Sequence, residues 1–263
     1  MADGICNNCG ATLAGEFCHS CGQREADTDW RSFGDIVRQF WNELVTLDFK
    51  SVRTVGALFR PGHLAAEFIA GRRRPYLTPL KTYLLAAALF FLIAPRVTGF
   101  TFERQMALDR EGKLRALVEA RITETRITRE LFAERFGRTL QKVYTLTPIV
   151  SVVVLTLLLR AFFGKAFHWL GPHLVFALYY VAFLYVLALL IHALNERFQA
   201  PSLYLLLALQ FGLLIPYMYA ALRRVYGQRP GVTLAKSMAI LALAFLIDGP
   251  INVVALWLSV KLT

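Results

Sequence analysis

Apolar residues follow two patterns along this chain, and the change from one to the other falls near residue 79. Before it they recur at helical spacing. Phe33, Ile36, Val37, Phe40, Trp41, Leu44 and Val45 fall on one face of a helix whose first turn suits Ser32 and Asp35. A shorter set through Val52, Val55, Leu58 and Phe59 stops at Pro61-Gly62, and a third runs from His63 to Ile69 before Gly71. Residues 25–76 therefore read as three short amphipathic helices. Their aromatics and interleaved arginines suit the membrane interface, and packing against one another or against a bundle is the alternative.

After residue 79 the apolar runs become long and nearly continuous. A bilayer core about 30 Å thick takes about twenty helical residues. Five stretches meet that requirement, at roughly 79–97, 144–163, 174–194, 201–221 and 237–260. The first is the shortest, uncharged only from Thr82 to Pro95, so Lys81 and Arg96 must snorkel at its ends. Between the first two runs, Arg96 to Lys142 holds eleven bases and seven acids. Leu114, Leu117, Val118, Ile122, Ile127 and Leu131 lie among them. This segment, 98–143, reads as one or two helices with mixed-charge faces, either a hairpin outside the membrane or a continuation of the second span.

Charge supports the same division. Of 263 residues 56% are apolar and 18% charged, and sixteen of the eighteen acids precede Thr145, leaving Glu196 and Asp248. So few carboxylates cannot cover a water-facing globule. The fold class expected is an all-α integral membrane protein of about five transmembrane helices, residues 77–263. The net charge of +11 does not call for nucleic acid. Its bases sit beside apolar runs, where the lipid bilayer supplies anionic headgroups as counter-charge. Arg72, Arg73 and Arg74, ahead of the first run, and Arg223 and Arg224, after the fourth, are the expected contacts with anionic lipid. By the same charge rule they face the cytosol. No cleavable signal is visible after Met1, so the N-terminus is expected in the cytosol and, after five spans, the C-terminus outside.

The four cysteines stand as Cys6-x-x-Cys9-Gly10 and Cys18-x-x-Cys21-Gly22. A two-residue spacing turns both thiolates of a pair toward one point, and each following glycine permits positive φ. Two such turns make a tetrahedral four-sulfur site for structural Zn2+. Residues 1–24 would then be a small zinc ribbon folded by its metal, since twenty residues bury no core of their own. Iron, two disulfides or a thioredoxin-like redox pair are the other uses of four cysteines. Disulfides need an oxidising compartment and the redox pair a βαβ setting. His19 lies inside the second pair, but four cysteines already complete the shell.

Several short motifs share an order. Cys6 to Gly22 closes with Gln23; Pro61-Gly62, Glu67-Phe68, Gly71-Arg72-Arg73-Arg74-Pro75-Tyr76 and Pro79 follow; Pro172-His173-Leu174-Val175-Phe176-Ala177-Leu178 heads a later span with Tyr179-Tyr180. In this order the chain resembles a bacterial family of zinc-ribbon membrane proteins, domain-of-unknown-function family 3667. The resemblance implies a polytopic protein of the bacterial inner membrane with an N-terminal ribbon, and no established activity.

Ionisable residues inside a membrane are costly and call for a functional reading. Asp248 precedes Gly249-Pro250 in the last run, where proline is expected to break or kink the helix, and a broken helix with a carboxylate is a way to build an ion site. The structural alternative is a cap on a half-helix starting at Ile251. His173 and His192 lie nineteen residues apart in the third run, about 28 Å at 1.5 Å per residue, too far to share a metal. Together with Asp248 they are the intramembrane candidates. No H-x-x-x-H pair, nucleophile elbow or phosphate loop occurs, so an enzyme is not the leading reading. The leading one is a membrane scaffold or regulator whose cytosolic ribbon meets a protein partner. A transporter or channel centred on Asp248, and a lipid-modifying enzyme, are the alternatives.

Overall fold

A computed structural model describes residues 4–24, 50–97, 102–109, 111–198 and 203–263. Among them the helices are α1 (Lys50–Leu58), α2 (His63–Ile69), α3 (Pro79–Val97), α4 (Phe102–Leu108), α5 (Lys113–Thr125), α6 (Arg129–Phe163), α7 (Leu170–Phe198), α8 (Leu203–Tyr226) and α9 (Pro230–Lys261). The amphipathic helix expected over 33–45 lies outside the described residues. The all-α expectation holds, with isolated bridges near the cysteines as the β-pairing among the described residues. Helix α6, α7 over Leu170–Ile191, and α9 are long and apolar enough to cross a membrane, as in a membrane protein. Among the described residues three are thus found where five are expected. Helix α3 holds a shorter apolar stretch, Pro79–Ile93, and the side chains of α8 are described only from Gly212 onward.

Helix α7 is the axis of the bundle. Every residue from Val175 to Phe183 is buried, the pattern of a helix enclosed on all sides. Helices α3, α6 and α2 pack against it, and α9 packs on α6 and α8. The inner faces of α1 and α2 join the same core through Leu58, Leu64, Ala65 and Phe68. Of the two placements expected for these helices, packing on the bundle accounts for that face. Val52 and Val55 on the other side of α1 are exposed. Lys81, expected to snorkel, is instead buried at 6% exposure.

The charged segment does not stand apart from the second span. Helix α6 begins at Arg129, where the Thr128 hydroxyl accepts from the Leu131 amide at 3.3 Å and Glu130 occupies the first turn. It then continues without interruption into the apolar run. Its first half places Phe132, Phe136 and Leu140 four residues apart on one face, all fully buried. They form a second core with Phe102 and Met106 of α4, Val118 of α5 and Val260 of α9. Arg121 closes this end by donating to the Lys261 carbonyl at 2.9 Å. The charged segment and the end of α9 thus lie at the same pole of the molecule.

Helix α9 corrects one expectation. Asp248-Gly249-Pro250 neither breaks the helix nor starts a new one at Ile251, because α9 runs unbroken from Pro230 to Lys261 with Pro250 inside it. Proline removes one backbone donor. A break would strip several more groups of partners where no water can replace them, so the continuous helix costs less.

The turn between α1 and α2 fixes both to the bundle. Gly62 has φ +67°, and a Cβ placed there would stand 2.6 Å from the Ala221 carbonyl oxygen of α8. Both the backbone conformation and the space demand glycine. Gly62→Ala is expected to destabilise the protein by about 1–3 kcal/mol, read as a lower melting temperature in detergent; an unchanged melt would show that the turn is not seated on α8.

Candidate metal centre

The two cysteine pairs fold as near-copies of one another. In the first, the Cys6 amide donates to Ala11 O and the Gly10 amide to Cys6 O, both at 2.8 Å. In the second, the Cys18 amide donates to Gln23 O at 2.9 Å and the Gly22 amide to Cys18 O at 2.8 Å. Antiparallel bridges Ile5↔Thr12 and Phe17↔Arg24 pinch the bases of the two turns. Gly10 and Gly22 take φ +79° and +70°, as the cysteine spacing predicts.

This repeat brings the four sulfurs together. Cys6 Sγ lies 3.6 Å from Cys21 Sγ and Cys9 Sγ 3.5 Å from Cys18 Sγ, and all four lie within 4.8 Å of one another. Metal–sulfur bonds of about 2.3 Å in a tetrahedron would separate the sulfurs by about 3.8 Å. A disulfide would need about 2.05 Å, and none joins these cysteines. The cluster could therefore bind a metal ion. Backbone amides prepare it: the N–H of Cys21 and then that of Ser20 hold the Cys18 thiol down at about 6. The Gln23 amide lowers Cys21 in the same way. At Cys9 the Ala11 amide also lowers the thiol, but the crowding of Cys18, Cys21 and Cys6 outweighs it and pushes Cys9 up to about 11. Protons are hardest to remove from the last of several crowded thiols, and a bound cation removes that resistance by stabilising the thiolates.

The module is seated on the turn that follows α2. Gln23 is buried; its amide nitrogen donates to Gly71 O at 2.8 Å and its amide oxygen accepts from the Arg73 N–H at 3.4 Å. Asn7 lies against Gly71, and the Arg74 guanidinium against Gly22. In the sequence Gln23 is visible only as the residue that closes the cysteine motif. A polar residue with no charge and no periodic partner carries no local signal of being buried.

The arginine triplet, expected at lipid headgroups, is distributed over this turn. Arg72 forms a bidentate pair with Glu67, both bonds 2.7 Å, which holds the Glu67 carboxyl below the usual carboxylate range. Arg73 is 8% exposed and lies over the Phe68 ring at 4.3 Å. Arg74 remains exposed beside the module. On α8, Arg223 is exposed and Arg224 donates to Pro61 O at 2.9 Å.

The segment that bears this turn is also the one that known sequences recognise. Residues 50–91 match the family described as protein of unknown function (DUF3667). The family resemblance is thus borne out over α1, α2, the arginine turn and most of α3. The DUF3667 segment does not include the cysteines. No curated protein and no solved structure matches the chain.

The intramembrane candidates are held separately. His173 is fully buried, with Nδ1 2.8 Å from the Tyr226 hydroxyl and Nε2 3.3 Å from Phe167 O. It also stacks on Tyr226 between rings 14° apart. Both ring nitrogens are engaged, which is the arrangement of a packed core histidine. Asp248 accepts from Ser151 Oγ at 3.0 Å, joining α9 to α6. The His192 side chain lies outside the described residues. Gln23→Ala is expected to leave the DUF3667 turn with an unpaired carbonyl and amide, costing about 1–3 kcal/mol of stability. Thermal melting with metal content measured in parallel checks it, and an unchanged melt would mean that the module does not brace the turn.

Proposed function

We propose that this chain is a non-enzymatic scaffold or regulator of the bacterial inner membrane, with a zinc ribbon held rigidly at its cytosolic pole to meet a protein partner. The exposure of Ile5 and Phe17, at 68% and 60%, carries the reading. They occupy equivalent positions, each just ahead of the first cysteine of its turn, in a module that is seated through Gln23. Apolar side chains held on a rigid platform suit binding to another protein. Zinc is the metal that four thiolates in a closed tetrahedron suit, with no position left for a substrate.

Five spans follow in this reading, alternating in direction as α3, α6, α7, α8 and α9. The ends bearing Arg160, Lys165, Arg223, Arg224, Arg229 and Lys236 meet at the module's pole, which the charge rule assigns to the cytosol. The charged helices α4 and α5 and the C-terminus then lie outside. Of the arginines expected at headgroups, Arg74 and Arg223 at this pole are exposed and meet anionic lipid in this reading. For a transporter the carboxylate would line a broken helix, and the unbroken α9 removes that motive.

The intact protein is expected to hold one zinc per chain, and Cys18→Ser to lose it, by elemental analysis of the purified protein. Replacing Ile5 and Phe17 together by serine should leave zinc in place and abolish co-purification of the partner. An unchanged set of co-purifying proteins with that double variant would contradict the scaffold reading.

A further inference from the structure

Asp248 sits twelve residues after Lys236 and thirteen before Lys261, with no other charged residue of α9 between those lysines. That is about 18–20 Å of helix on either side. If the lysines mark the two interfaces, Asp248 lies near the bilayer midplane, where a polar group has no water to bond. Its carboxylate is only half-buried and its side-chain donor is Ser151. One turn further, Asn252 is exposed; its amide nitrogen donates to the Asp248 carbonyl at 2.8 Å, which uses one of its two N–H groups. The second N–H and the amide oxygen have no partner among the described residues.

The surroundings of Asn252 are apolar and open. Met238, Ala242, Gly249 and Val253 are exposed along the same side of α9, and only 11% of the most apolar stretch of this helix is buried within the chain, against 61% for α7. Gly249 has nothing within 4 Å of the place a Cβ would take, so another backbone can approach there.

We propose that this face of α9 is the interface between two copies of the chain, closed by Asn252 against Asn252. Lipid tails offer neither donor nor acceptor to a carboxamide. A second copy inserted in the same orientation brings its own Asn252 to the same depth around a two-fold axis along the membrane normal. A carboxamide is its own complement, because each donates an N–H to the oxygen of the other. Ala242 and Gly249 let the helices approach closely enough for that exchange, and Asp248 and Ser151 anchor α9 to α6 behind it. The inference stands independently of what the zinc ribbon binds.

The test uses full-length protein labelled with donor or acceptor fluorophores at the C-terminus. It is reconstituted in phosphatidylethanolamine–phosphatidylglycerol vesicles, and energy transfer is followed as protein is diluted in lipid. Wild type is expected to dimerise, and Asn252→Leu to weaken the dimer about three- to twenty-fold, the range measured for interhelical hydrogen bonds in membranes. Val254→Ala, an exposed position on a different side of α9, should leave it unchanged, and Asn252→Gln, which keeps the carboxamide, should retain most of it. Metal content and melting temperature matching wild type would show that Asn252→Leu acts on association rather than folding. A wild type that remains monomeric throughout the dilution, or an Asn252→Leu dimer as tight as wild type, would overturn the proposal.

Discussion

A backbone carbonyl that leaves a helix against an apolar wall must find a donor, since no water reaches it and an unpaired group there costs several kcal/mol. The connection from α1 to α3 turns repeatedly on the flank of the bundle and so presents this demand several times. Four of its carbonyls are met by side chains from elsewhere, those of Gly71 and Leu77 at buried bonds, that of Leu58 at a part-buried one and that of Pro61 at an exposed one. Tyr217 donates to Leu58 O, Arg224 to Pro61 O, Gln23 to Gly71 O and Tyr179 to Leu77 O. Three of these donors belong to the bundle and one to the cysteine module. The same bonds that satisfy the connection therefore fix the module's seat relative to the membrane helices.

The matched family segment carries the connection that receives these bonds. Residues 50–91 supply the turns and the arginine triplet, and the inner faces of α1 and α2 supply the apolar contact with α7 and α8. Basic residues ahead of a span usually mark topology. Here Arg72 also locks Glu67 at the end of α2, and Arg73 spreads over Phe68. Guanidinium groups suit both tasks, because their flat faces stack on rings while their edges bond carboxylates. The cysteine cluster and the helical bundle are thus two parts of one braced structure.

Much of this was legible in the residues. The helical character followed from long apolar runs, and Pro79–Val97 begins and ends where its pattern does. The four cysteines converged as their spacing requires. What was not legible depended on tertiary partners. Gln23 reads only as the end of the cysteine motif until the carbonyl it meets is in place. Proline in Asp248-Gly249-Pro250 signals a break in water, but in an apolar setting the helix keeps its remaining bonds. The first half of α6 reads as helix with mixed-charge faces, and its continuity with the second span is one of two readings that composition leaves open. Only the four-residue recurrence of Phe132, Phe136 and Leu140 hints that it folds on a second core.

The central claim is that the cysteine module is seated on the arginine turn through Gln23, and hydrogen exchange at the Arg73 amide tests it most directly. That N–H donates to Gln23 across the junction, so its protection reports the seat itself. The account predicts strong protection with metal bound, and faster exchange at Arg73 after chelation while amides in the middle of α7 remain protected. Equal exchange at Arg73 with and without metal would contradict it, since the turn would then hold its shape without the module.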